Sequence, residues 1–113
     1  MPASKNTSAH KGYLAETRAI HFLSAQNYKL IDRNRKINGV EIDIIMFRDI
    51  YYLFEVKSIR SFEEMYFRVS RRQMSRLEYA RFSYEDFSQS LVCLKFVFVC
   101  ADQILLLNQE DLE

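Results

Sequence analysis

The stretch Val40-Glu41-Ile42-Asp43-Ile44-Ile45-Met46-Phe47, then Arg48-Asp49-Ile50, then Tyr51-Tyr52-Leu53-Phe54-Glu55-Val56-Lys57 decides how this chain is read. Both flanks are rich in β-branched and aromatic residues, which suit a pleated, half-buried surface, so each reads as a strand. The three residues between them are short enough to close a hairpin. Centring it on Asp49 sets Phe47 against Tyr51 and Ile45 against Leu53. That register brings the apolar side chains together, which is what pins a register. It also sets Asp43 against Glu55 and Glu41 against Lys57. Side chains two apart in a strand share a face, so Glu41 points with Asp43, and Glu55 with Lys57.

Two carboxylates directly opposed, with Cβ atoms about 5 Å apart, repel and weaken a sheet. Burial raises the pKa of one of them unless a cation compensates. Mg2+ or Mn2+ meets that need, since both are hard ions that prefer oxygen ligands. Lys57 beside them supplies a positive charge able to hold or orient an attacking water. A metal on Asp43 and Glu55 with a lysine next to the nucleophile is chemistry suited to opening a phosphodiester. The plainer reading of the same residues is a cross-strand ion pair, Glu41 with Lys57, and two carboxylates at a wet sheet edge.

Outward from this hairpin, Leu14, Ala15, Ala19, Phe22 and Leu23 recur at three- and four-residue spacing and predict an amphipathic helix over Lys11 to Gln26. Asn27 suits a left-handed cap. Tyr28 to Arg33 reads as a short strand, and Asn38-Gly39 as a turn. Met1 to His10 reads as a disordered tail. Beyond the hairpin, Ser58 to Phe67 has no clear period and reads as a loop. Ser70 with Gln73 matches a capping box, and Met74, Leu77, Ala80 and Tyr84 continue it as a helix. Leu91 to Cys100 is nearly all apolar, the pattern of a strand buried on both faces. Ile104 to Leu107 reads as a last strand. The expected order is αβββαββ: one α/β domain over residues 11–113, with a central mixed sheet flanked by helices.

Composition narrows the function. Of 113 residues, 49% are hydrophobic and 27% charged, with two glycines and one proline, which excludes collagen-like and linker-rich chains. No apolar run approaches the ~20 residues that span a bilayer. The polar start argues against a signal peptide, and two cysteines that cannot bridge along one strand fit a reducing, cytoplasmic setting. The net charge of +1 conceals a division. Residues 5–36 and 57–82 carry +5 and +4, whereas residues 37–56 and 83–113 carry −3 and −5. Basic segments on either side of a short acidic one suit a polyanion held near carboxylates.

Lys11-Gly12, Ala15-Glu16, Ala19, Asn34, Glu41-Ile42-Asp43-Ile44-Ile45 and Phe54-Glu55-Val56-Lys57-Ser58 resemble, in order and spacing, the YraN-like family of small predicted endonucleases. The resemblance covers residues 11–80 best, and extends to archaeal Holliday-junction resolvases. It implies a restriction-endonuclease-like PD-(D/E)xK core, αβββαβ. By that analogy Asp43 and Glu55 are metal ligands, the Val56 carbonyl is a third, and Lys57 lies next to the water. Glu16 matches a glutamate of the family's first helix that reaches a second metal or its water shell. Its alternative role is a first-turn glutamate favoured by the helix dipole. Glu41 is an ion-pair partner or an outer-shell group. A lysine common on the family's second helix is Gln73 here, which reads as a cap.

Arg60, Arg68, Arg71, Arg72 and Arg76 cluster after the hairpin, and as a group they suit phosphate contact; singly each also fits a solvated surface. Tyr66 and Phe67 read as packing residues rather than base-stacking ones. The expected function is therefore a Mg2+- or Mn2+-dependent endonuclease acting on DNA, including branched or repair intermediates. A homodimer is allowed by analogy with nucleases that cut both strands. The alternatives are a nucleic-acid-binding or assembly module that keeps the fold without turnover, and a protein-interaction domain.

Overall fold

The computed structural model describes residues 7–113, with side chains from residue 12 onward. Helix α1 spans Thr7–Ser24. Strands β1, β2 and β3 span Lys29–Ile37, Val40–Arg48 and Ile50–Ser58. Helices α2 and α3 span Met65–Arg68 and Arg71–Ser88, and strands β4 and β5 span Val92–Val99 and Ile104–Asn108. The strands form one sheet in chain order, antiparallel throughout except that β3 and β4 run parallel. A parallel pair requires a crossover connection, and α3 supplies it. The result is an α/β fold in which α1 and α3 cover opposite faces of a five-stranded mixed sheet.

Two apolar layers hold the helices on. Ala15, Ala19 and Leu23 of α1 pack with Ile44, Met46, Phe54, Val56 and Val97. Leu77, Ala80 and Tyr84 of α3 pack with Ile45, Leu53, Leu94, Phe96 and Phe98 on the other face. Strand β4 contributes to both layers, as its unbroken apolar run requires. The small alanines let α1 approach closely, while each fully buried Phe, Leu or Ile contributes about 1.5–3 kcal/mol.

The hairpin centres on Asp49, whose φ of 69° turns the chain, and Phe47 opposes Tyr51 while Ile45 opposes Leu53. The pairing then stops earlier than expected. The β2–β3 ladder ends at Ile44 opposite Phe54, so Asp43 and Glu55, and Glu41 and Lys57, are not ladder partners. Glu41 instead opposes Lys36 of β1, while Glu55 and Lys57 oppose Phe96 and Phe98 of β4. Strands β2 and β3 thus part company just where the carboxylates begin. Val40 and Ile42 pack on the α3 side but Ile44 and Met46 on the α1 side. The alternation of faces therefore slips by one at Asp43.

Other boundaries differ for local reasons. Helix α1 begins at Thr7, so residues 7–10 of the expected tail are helical, and residues 1–6 lie outside the described part. It ends at Ser24, and Asn27 takes the left-handed conformation (φ 71°) expected of it. Strand β1 runs on to Ile37 through Asn34 at φ 53°, a left-handed residue that pattern reading takes for a break. The expected loop holds a 3-10 turn at Phe62–Glu64 and then α2, anchored by buried Met65. Tyr66 and Phe67 do not pack; they are 63% and 83% exposed.

Candidate active site

The parting of β2 from β3 leaves a backbone donor on β3 without its ladder partner. Asp43 fills that role: its Oδ2 accepts a hydrogen bond from the Val56 N–H at 2.8 Å. The aspartate side chain therefore lies in the plane of the sheet, between the two strands, where a backbone carbonyl would otherwise sit. Glu55, one residue before Val56, faces α3 and is the only polar or charged residue among the described core. Its Oε2 accepts from Gln73 Nε2 at 2.8 Å and pairs with Lys57 Nζ at 3.2 Å.

These two carboxyls are neighbours in a shielded place. Burial raises the Asp43 pKa most, the adjacent Glu55 charge raises it further, and the Val56 N–H and Lys57 offset only part, leaving it pushed up from 3.8 to about 7. Burial raises Glu55 as well, against the lowering effects of Lys57, Asp43 and Gln73. Two buried carboxyls with one lysine, paired to Glu55, are short of positive charge.

Glu16 joins from the opposite helix. It sits nine residues into α1, which removes the first-turn dipole role. Its pKa is raised by burial and then by Asp43, and lowered by hydrogen bonds from Asn34 and Arg33; Arg33 Nε lies 3.4 Å from its Oε1. The left-handed turn at Asn34 sets a polar side chain of β1 near the Glu16 carboxyl.

A cleft of about 260 Å³ opens over the pair, walled by Glu41, Asp43, Glu55, Gln73, Arg76 and Leu77. Of the five arginines, Arg76 alone lines it. Arg71 and Arg72 are exposed in the first turn of α3. Arg60 and Arg68 gather on Glu64, at 3.2 and 3.9 Å, and Arg68 also donates to the Ser58 carbonyl. The structure therefore brings Asp43, Glu55, Lys57 and Arg76 together, sets Glu16 behind Asp43, and leaves Arg60 and Arg68 bracing the segment after β3.

Gln73 is the residue that sequence reading misplaced. Ser70 caps α3 as expected, its Oγ accepting from the Gln73 N–H at 3.0 Å. The Gln73 side chain does not return to the cap but turns to Glu55. The Gln73–Glu55 hydrogen bond ties α3 to β3. Gln73→Ala leaves that buried oxygen with Lys57 alone, and urea unfolding is expected to show a loss of about 1–2 kcal/mol.

The donor set fits a small divalent cation. Among the described residues no three His, Cys, Asp or Glu side chains converge as a complete metal cage. Magnesium does not ask for one: it binds through one or two carboxylates and leaves its other positions to water and substrate phosphate. Asp43 and Glu55 would serve as such a pair, and an ion there would relieve their shared shortage of positive charge.

The family model described as uncharacterised protein family UPF0102 matches residues 15–100. A UPF0102 protein of Aliarcobacter butzleri is 35% identical over 75 residues, which are 63% of this chain and 66% of that protein. One of Helicobacter hepaticus is 42% identical over 60 residues, 52% of this chain and 54% of its own length. One of Kosmotoga olearia is 37% identical over 83 residues, 72% of each. The chain thus spans about two thirds or less of the first two relatives. Every residue of the carboxylate cleft lies within the stretch that the family model matches. The chain belongs to the uncharacterised protein family UPF0102, the YraN-like family that its motifs resemble.

Proposed function

We propose that this protein is a metal-dependent endonuclease that hydrolyses phosphodiester bonds in DNA, on a restriction-endonuclease-like core. The observation that carries the reading is the buried Asp43–Glu55 pair with Lys57 on Glu55, at the point where β2 and β3 diverge. A buried acidic pair with raised pKa values in a cleft is costly as architecture and useful as a charge site. Asp43 and Glu55, with the Val56 carbonyl as the third ligand that the family pattern implies, would hold Mg2+ or Mn2+, which when bound would polarise the phosphate and lower the pKa of a water.

The chain's own residues supply the rest. Asp43 is fixed in the sheet plane by the Val56 N–H, and Glu55 is fixed by Gln73, so both carboxylates are preorganised. Lys57, tethered to Glu55, holds a positive charge at the water and at the charge that develops on the phosphate. Arg76 on the cleft wall meets the incoming backbone, while Arg71 and Arg72 on the adjoining turn extend the basic approach.

A second reading, a nucleic-acid-binding module without turnover, is favoured by one detail. The Glu55 Oε2 is already engaged twice, by Gln73 and by Lys57. Incubating the protein with branched, linear and single-stranded DNA, with Mg2+ or Mn2+ and then with chelator, separates the two. The nuclease reading expects metal-dependent cleavage that disappears in Asp43→Ala and in Lys57→Ala. Salt-sensitive binding with no cleavage in any metal establishes the module, and no affinity for nucleic acid overturns both.

A further inference from the structure

The outer face of α3 carries a pattern that the carboxylate cleft does not use. Tyr79 and Phe82 stand 56% and 66% exposed on it, and Arg72, Ser75 and Asp86 are exposed as well. At 100° per residue, these five positions fall within an 80° stripe on the side away from Leu77, Ala80 and Tyr84, which pack on the sheet. Two large aromatic side chains standing on one solvent-facing helix stripe form an apolar patch, the kind of surface that marks an interface.

The charges along the stripe identify the occupant. The first two turns of α3 hold Arg71, Arg72 and Arg76 and no acid, and the last two hold Glu85 and Asp86 and no base. Arg81 is already bound to Glu78 and Glu85, whereas neither Arg72 nor Asp86 enters an ion pair among the described residues. Arg72 and Asp86 each lie seven residues, two helical turns, from Tyr79. A helix of the same sequence running antiparallel, with Tyr79 at the two-fold axis, sets each Arg72 against Asp86 of the partner subunit. Self-complementarity of this kind is what an isologous interface demands.

We propose that this face of α3 binds a second copy of the chain, forming a symmetric antiparallel α3–α3 dimer closed by two Arg72–Asp86 pairs around Tyr79. The proposal does not rest on the nuclease reading, and it takes Arg72 from the phosphate approach into the interface. The stripe faces away from Glu55, because Gln73, which bonds Glu55, points with Leu77, Ala80 and Tyr84 toward the sheet.

Sedimentation of the full chain tests it, comparing the wild type with Arg72→Asp, Asp86→Arg and the double swap. The expected result is a wild-type species of twice the 13.5 kDa chain mass. Each single swap opposes like charges and is expected to weaken the dimer at least about tenfold. The double swap restores it to within about threefold, which also shows that the substituted surfaces fold. A wild type that stays monomeric at every concentration overturns the proposal. So does a dimer that neither single swap weakens, or that the double swap fails to recover.

Discussion

Asp43→Asn is expected to abolish metal-dependent hydrolysis, by about a thousandfold or more, and at the same time to stabilise the fold. The two outcomes have one cause. Asparagine keeps the bond that holds the sheet together, since its Oδ1 accepts from the Val56 N–H as the Asp43 oxygen does. Its amide also donates to the neighbouring Glu55 carboxylate, so the repulsion within the buried pair becomes a hydrogen bond. What is lost is the negative charge, and with it a ligand for a hard cation. A gain of about 2 kcal/mol near pH 8, alongside loss of cleavage, is the stability–function trade expected of a strained charge site. A variant with no activity and lower stability would show instead that Asp43 is architectural.

The same residue sets the pH dependence of the wild type. A carboxyl whose pKa is higher in the folded state binds protons more tightly there, so the native state takes up protons relative to the unfolded chain. Stability is then fully present below the unfolded value of 3.8 and declines as pH rises to the folded value of about 7. The loss is at most about 4 kcal/mol, and Glu55 and Glu16, raised in the same direction, add to it. Urea unfolding in chelator should therefore show falling stability from pH 5 to 7.5, with a shallower fall in Asp43→Asn. Magnesium added at pH 8 should restore part of the loss, because a bound ion replaces the missing proton.

How much of this could be read from sequence follows from what periodicity encodes. The stripe Ala15, Ala19, Leu23 and the run Val92–Val99 report their environments directly, because burial repeats along them. The hairpin register was legible as far as Ile44 opposite Phe54, since apolar matching determines it. It failed at Asp43 because strict alternation assumes that paired strands stay paired; nothing in a strand's own residues announces that its neighbour departs. Asn34 was opaque for a similar reason: a left-handed residue inside β1 looks like a break until Glu16 is seen across from it. Gln73 misled because a glutamine three residues after a serine satisfies a local rule, while the bond that captures it comes from a residue 18 positions away. The acidic pair and its lysine were found because charge opposed across a hairpin is rare enough to need a reason. The ladder itself ends at Ile44 opposite Phe54, yet the two carboxyls remain neighbours.

Lys57→Met carries the second large effect, and its logic is the reverse of that at Asp43. Lys57 and Glu55 are both mostly buried, with side chains 18% and 8% exposed, and their charged atoms lie 3.2 Å apart. Removing the ammonium leaves Glu55 with Gln73 as its remaining donor and with Asp43 beside it. Breaking such a pair from one side costs about 3–5 kcal/mol, since the desolvated charge that remains has lost its partner. Removing both charges does not. Glu55→Gln with Lys57→Met replaces the ion pair with a neutral amide and an aliphatic stem of similar volume, and most of the lost stability is expected to return. Cleavage is not expected to return, because neither the metal ligand nor the cation at the phosphate is present. A double variant that recovers its unfolding midpoint yet stays inactive assigns the Glu55–Lys57 pair to the chemistry rather than to holding β3 in place. One that recovers both would show that the pair only held β3 in place, and the nuclease assignment would fall with it.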